Sequence, residues 1–263
     1  MTSHKAQNEQ ILEQFTQQAE SYAKLTGVGR STVPSPFLDA IAPSAADQVL
    51  DVACGNGRLT LMLAKLTRHV TGIDLTAAMI AQARSLQAQQ GVANVAWHIG
   101  DILPLPFPDA AFSLVVSQAA FHHLADPAAV LAEMARVCSL DGRIAINDLS
   151  PAAKKAEAFN HVEKLRDPSH VQALTPAQLR SLGRKIGLRE MTAVSYHVPS
   201  IPLEAVLATS FPKPGALQEV RGLYRADAES GADTLGLRAQ LVADQIGIQY
   251  PMTLVVWRGS AAL

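Results

Sequence analysis

Between residues 48 and 148 short apolar runs alternate with segments of helical length, and that alternation restricts the fold more than any other feature of the chain. Residues 48–54 (QVLDVAC), 69–74 (HVTGID), 95–100, 112–117 (FSLVVS) and 143–148 (RIAIND) read as strands. Several of these runs are nearly uninterrupted, the mark of strands covered on both faces. Residues 59–66 and 77–90 read as helices, the second with Met79, Ile80, Ala83 and Leu86 on one face. Asp126-Pro127 is a helix start, an N-cap carboxylate with proline at the first helical position; Val130, Leu131, Met134 and Val137 then form the inward stripe. Strand–helix alternation at this spacing predicts a doubly wound α/β sheet.

The flanks read differently. Ile11, Phe15, Ala19 and Tyr22 are spaced four, four and three and share one helical face within 6–25. Ser35-Pro36 opens a short helix running to Ile41, and residues 153–165 read as another. Thr175-Pro176-Ala177-Gln178 is a capping-box start for a helix that Gly187 terminates. Residues 191–198 and 252–257 read as two further strands. The segment between them is broken by Pro202, Pro212, Pro214 and Gly231, reads as helices and is too long for a hairpin loop, so a lid is expected at about 200–249. One domain over 1–263 is expected: a helical cap over 1–45, a ligand-binding core over 46–150, and a C-terminal part over 151–263 that carries the lid.

At 263 residues and 48% apolar, the chain can bury a core without disulfide or metal staples. A formal charge of −1 lacks the basic excess of a duplex-binding protein, which argues against nucleic acid as a partner. Cys54 and Cys138 match no metal-ligand spacing and lie in apolar segments, so reduced thiols and no metal are expected. The polar start MTSHKAQNEQ lacks the apolar stretch of a signal peptide, and no window approaches ~18 consecutive apolar residues. A cytoplasmic protein without a membrane span is expected, and a homodimer is compatible with the composition.

The chemistry concentrates where the first strand runs into Gly55-Asn56-Gly57, a turn that lets a ligand approach the backbone closely. Asp74 ends the second strand, where a carboxylate can accept from both hydroxyls of a ribose. Asp101 follows the third strand at the same sheet edge, within reach of an adenine amino group. Three successive strands ending in Asp point to a nucleoside-bearing ligand. The third glycine of a dinucleotide fingerprint is replaced by Thr60, and no tyrosine has lysine four residues later, which argues against a nicotinamide cofactor. Gly-Lys-Ser/Thr, Gly-x-Ser-x-Gly and His-Glu-x-x-His are absent.

DVACGNGRLT, VTGIDLTAAMIAQAR, GDILPLPFPDAAFSLVVSQAAFHHLADP and MARVCSLDGRIAINDL together resemble class I S-adenosylmethionine-dependent methyltransferases. They are most similar to the small-molecule subgroup that includes the quinone and menaquinone C-methyltransferases, and the resemblance spans about 48–148. It implies a Rossmann-like seven-stranded sheet whose last strand is antiparallel, which makes the two late strands six and seven and the helical stretch between them an insertion. It also implies that Asp51, Ala53, Gly55 and Gly57 surround the methionine part of S-adenosylmethionine. Asp74 would hold the ribose, Leu75 pack on the adenine, Asp101 and Ile102 read its edge, and Ser117 lie beside the sulfonium. Ala53 stands where many members have glycine, and Ser139-Leu140-Asp141-Gly142 replaces the usual Lys-Pro-Gly-Gly turn. Ser117-Gln118-Ala119-Ala120-Phe121 is not the Asn/Asp-Pro-Pro-Tyr/Phe motif of relatives that methylate amino groups of nucleic acids and proteins.

The resemblance implies transfer of a methyl group to a small, apolar or aromatic acceptor with release of S-adenosylhomocysteine. A general base is needed only where the acceptor loses a proton. His122 and His123 are its candidates, and adjacent positions diverge by ~100° on a helix, so one faces the site. Tyr22 and Arg30 are candidates to close over the cofactor, and Phe211 and Tyr224 to line an acceptor pocket, with core packing the competing role for the aromatics. A cofactor-binding member without methyl transfer, and an NAD(P)-linked oxidoreductase, stay open as alternatives.

Overall fold

The computed structural model describes residues 3–27 and 35–259. Two helices precede the sheet, α1 (His4–Gly27) and α2 (Ser35–Ile41). The first half then runs β1 (Gln48–Val52), α3 (Arg58–Ala64), β2 (His69–Asp74), α4 (Ala77–Gln90), β3 (Val95–Ile99), β4 (Phe112–Gln118) and α5 (Pro127–Val137). It continues through β5 (Cys138–Leu149), α6 (Ala156–Arg166), α7 (Pro176–Lys185) and β6 (Arg189–His197). The chain closes through β7 (Ile201–Pro202), α8 (Leu203–Leu207), α9 (Ala216–Ser230), β8 (Gln240–Val242), β9 (Gln245–Ile248) and β10 (Pro251–Arg258).

Seven strands form one sheet in the order β3-β2-β1-β4-β5-β10-β6; β10 is antiparallel to both neighbours, and the pairs from β3 to β5 are parallel. Alternation along the strands builds the core on both faces. Leu50, Val115, Ile144, Ile146, Val255 and Trp257 pack toward α5 and α7. Val49, Val70, Leu114, Val116, Ala145 and Val256 pack on the opposite face toward α2 and α3. Asp126 caps α5 by accepting from the Ala129 N–H, and Thr175 and Gln178 close the capping box of α7.

Two expectations change. β5 begins at Cys138, because Cys138 pairs with Phe112 and Arg143 with Leu114, so residues 139–142 bulge out of a longer strand. The 200–249 segment is not helical throughout: alongside α8 and α9 it folds a three-stranded antiparallel sheet, β7-β9-β8. Ala243 and Asp244 turn the β8–β9 hairpin at φ 46 and 63, a turn chemistry that lacks the usual Asn-Gly signal. This segment packs its own core, with Tyr224, Leu237 and Ile248 against Phe159 and Val162 of α6. No described helix is long and apolar enough to cross a membrane.

Candidate functional site

The strand order reverses between β1 and β4, and the carboxyl ends of the strands on either side open into a cleft of about 660 Å³. β1 enters it through Ala53, whose φ of 57 is left-handed; Ala119, just after the neighbouring β4, has φ 52. Strained residues of this kind concentrate where a backbone must bend around a ligand. Gly55 has φ 53 and open space where a side chain would stand, so the main chain is accessible there. Gly57 plays another part: a Cβ on it would lie 2.4 Å from Trp97 and 2.8 Å from Ala83, so it lets the start of α3 pack against β3 and α4.

Three carboxylates line one side. Asp74 Oδ2 accepts from the Gly55 N–H at 2.7 Å and Oδ1 from the Thr76 N–H at 2.9 Å. Burial nevertheless raises its pKa, outweighing those bonds. Asp51 Oδ2 accepts from Thr60 Oγ1 at 2.6 Å. Burial pushes the Asp51 carboxyl up to about 7, with the Asp74 charge adding to the effect and the Thr60 bond opposing it. Asp101 Oδ1 accepts from the Leu103 N–H at 3.0 Å. Its Oδ2 is met from α1 by Asn8 Nδ2 at 2.7 Å and His4 Nε2 at 2.8 Å.

The opposite wall is a buried polar cluster. Asp148 Oδ2 accepts from the Ala120 and Phe121 N–H groups at 2.9 and 2.6 Å, and its Oδ1 holds His122 Nδ1 at 2.6 Å. His123 Nδ1 lies 3.1 Å from both the carbonyl oxygen and Oγ of Ser169, and its ring meets Phe15 edge-on at 5.1 Å. Burial, with the neighbouring His122 second, lowers the His123 pKa to about 4, so the ring is neutral at pH 7. From α1, Gln7 Nε2 donates to the carbonyls of His123 and Ser169 at 2.9 and 2.8 Å, fastening the helix to this wall.

Of the positions singled out in the sequence, Asp51, Ala53, Gly55 and Asp74 line the cleft, with Leu75, Asp101, Ile102 and His123. Gly57, Ser117 and His122 do not: Gly57 is taken up by packing, Ser117 is buried behind the wall, and His122 is tied to Asp148. Tyr224 is fully buried, its hydroxyl 3.3 Å from Glu163 Oε1, and Phe211 is 39% exposed; neither lines the cleft, nor does any residue of the 200–249 segment. The Tyr22 side chain and Arg30 lie outside the described residues. Sequence reasoning missed His4, Gln7 and Asn8, whose polar side chains continue the face of Ile11 and Phe15 toward the start of α1 at the same helical spacing, and Ser169, which sits in a loop without any motif. Asp148 carried a usable signal, since it stands near the end of its strand as Asp51 and Asp74 do of theirs.

Asp51 and Asp74 place buried acceptors on the lining, and Asp101 adds a partly exposed one. Besides the three carboxylates, Gln118 Oε1 is buried in the wall without a hydrogen-bond partner. The cleft therefore fits a ligand rich in N–H and O–H donors and carrying positive charge, as an adenosyl sulfonium with an amino-acid tail does. No group of three His, Cys, Asp or Glu suited to a metal occurs among the described residues.

The family profile described as a methyltransferase domain matches residues 43–191. The uncharacterized methyltransferase YcgJ of Bacillus subtilis is 36% identical over 130 residues, 49% of this chain and 51% of that protein. Its crystal structure superposes with a TM-score of 0.76 at 23% identity, over 86% of this chain and 97% of that one, a likeness of fold. The 27-O-demethylrifamycin SV methyltransferase of Amycolatopsis mediterranei is 33% identical over 120 residues, 43% of this chain and 44% of that protein. The demethylmenaquinone methyltransferase of Thermus thermophilus is 35% identical over 121 residues, 45% of this chain and 54% of that protein. The matched part of the chain spans about half the length of these curated relatives.

Proposed function

The chain belongs to the methyltransferase-domain family, whose cofactor is S-adenosylmethionine, and from that premise we propose that it methylates a small, apolar or aromatic molecule and releases S-adenosylhomocysteine. The observation that carries the reading is the cleft at the strand reversal, with Asp51, Asp74 and Asp101 converging on it as acceptors. When bound, S-adenosylmethionine supplies an electrophilic methyl carbon whose bond to sulfur breaks with the electron pair left on sulfur. Asp74 is suited to accept from the ribose hydroxyls, Asp101 and Ile102 to read the adenine edge, and Leu75 to pack on it. Asp51, Ala53 and Gly55 are suited to the methionine part. Ile11 and Phe15 of α1, opposite His123 and Leu124, give the remaining volume an apolar side and help exclude water. The rifamycin and menaquinone methyltransferases among the relatives support a small-molecule acceptor.

Titration calorimetry with S-adenosylmethionine, S-adenosylhomocysteine and NADPH tests the reading, with a cooperatively melting Asp74→Ala variant as control. Binding of the two adenosyl-sulfur ligands alone, lost in the variant, is expected. Binding of NADPH instead, or of none of the three, overturns it.

A further inference from the structure

Within the methyl-transfer reading, we propose that Asp167 and Ser169 are positioning residues for His123: they hold its proton on Nδ1 and turn the Nε2 lone pair toward the acceptor. The acceptor class narrows accordingly, to molecules that give up a proton on methylation, such as a phenol or an enolisable carbon acid. The proton that leaves the acceptor as its bond to the methyl carbon forms goes to Nε2, while Nδ1 keeps its own.

The loop joining α6 to α7 carries the arrangement. Ser169 Oγ donates to Asp167 Oδ1 at 2.6 Å, and the Ser169 N–H donates to the same oxygen at 2.9 Å. With its proton committed to the carboxylate, the hydroxyl offers His123 Nδ1 a lone pair, and the Ser169 carbonyl at 3.1 Å offers another. Both neighbours of Nδ1 are acceptors, so the neutral ring carries its proton there and Nε2 is the basic nitrogen. Ring rotation is opposed by Phe15 on one side and His122, at 4.1 Å between centroids, on the other. Asp167 is 3% exposed, and its carboxylate is favoured, against burial, by Arg166 and the two Ser169 bonds, and by His123 once that ring is protonated. Among the charged and titratable groups around the ring, Asp167 and Asp148 favour its protonated form and His122 opposes it. His170, 6.4 Å from it, is tied through Nε2 to Asn160, and α1 contributes Gln7 and Phe15, which do not titrate. A ring that must accept a proton for an instant is thereby given a fixed tautomer and a buried anion one hydroxyl away.

Long-range proton–nitrogen NMR of the ¹⁵N-histidine-labelled full chain tests this, with His123→Gln assigning the resonance. At pH 7 the unmutated protein is expected to show His123 as the Nδ1–H tautomer, Ser169→Ala to gain a population of the Nε2–H form, and Ser169→Thr to restore the original. Asp167→Asn retains an acceptor oxygen for Ser169 and is expected to fold, but its His123 should titrate at lower pH, with a several-fold smaller protonated fraction at pH 5. An Nε2–H tautomer in the unmutated protein, or a tautomer and titration unchanged in Ser169→Ala and Asp167→Asn, overturns the assignment; if Ser169→Ala does not fold, Asp167→Asn decides. Loss of S-adenosylhomocysteine binding in the unmutated protein would instead strike the methyl-transfer reading, and calorimetry reads that separately.

Discussion

Replacing Asp51 by asparagine exposes what the fold gives up to keep a carboxylate beneath the cleft. Asp51 is 1% exposed, with one hydroxyl bond from Thr60. Burial raises its pKa to about 7, against ~3.9 in an unfolded chain. Three pKa units at 1.36 kcal/mol each make ionising this carboxyl on the order of 4 kcal/mol harder in the folded than in the unfolded chain. The sign follows from proton counting: the folded chain binds the extra proton between ~4 and 7, so stability is fullest below ~4 and is lost as pH rises through about 7. The amide oxygen that the substitution introduces keeps the Thr60 bond without the charge. Asp51→Asn should therefore melt higher than the parent at pH 8, by on the order of 5–10 °C for a chain of this size, and nearly with it at pH 4.5. Calorimetric melts of both proteins from pH 4.5 to 8 check this. A melting difference that does not change with pH, or a variant less stable at pH 8, would refute the claim that burial penalises this carboxylate.

Three further outcomes follow. Since a cationic ligand needs Asp51 ionised, S-adenosylmethionine affinity should weaken as pH falls below about 7, by up to tenfold per pH unit; Asp51→Asn should bind more weakly at pH 8 with a flatter profile, and calorimetry at several pH values reads both. Gly57→Ala forces a side chain into φ 75 and to 2.4 Å from Trp97, and should cost about 2–5 kcal/mol in urea unfolding. A His4→Ala/Asn8→Ala double variant frees the Asp101 carboxylate of its two α1 partners and should bind S-adenosylhomocysteine a few-fold more tightly, whereas weaker binding would mean that α1 helps hold the ligand.

What could be read before folding was what local rules govern. The period of the apolar runs located the first five strands and the helices between them, and the Asp126 and Thr175 caps placed two helix starts at the right residue. Carboxylates at strand ends marked the cleft because a parallel sheet brings those ends together. Ala53 shows how far a sequence speaks for itself: the resemblance led to an expectation of glycine there, and the observed φ of 57 is a conformation that glycine adopts without strain. Contacts made across the chain had no local signature. Gln7 meets residues 116 and 162 positions away and Asn8 meets Asp101, and polar residues continuing an apolar stripe do not by themselves say which distant groups they bond. Tyr224 illustrates the converse: an aromatic in an apparent lid found its partner in the buried Glu163.

The stitching of α1 to the far wall of the cleft also bears on how the chain is made. Ribosomes deliver residues in order, and α1 leaves the tunnel well before the Ser169 carbonyl that Gln7 must reach, 162 positions later. At ~5–20 residues per second that interval is roughly 8–30 s. Over that interval α1 gains its partners in turn, first α4, then Asp101, then His123 beside Phe15, and the Ser169 carbonyl last. The newborn protein thus has a period in which its central sheet is forming while the Gln7 end of α1 still lacks the last of its bonds.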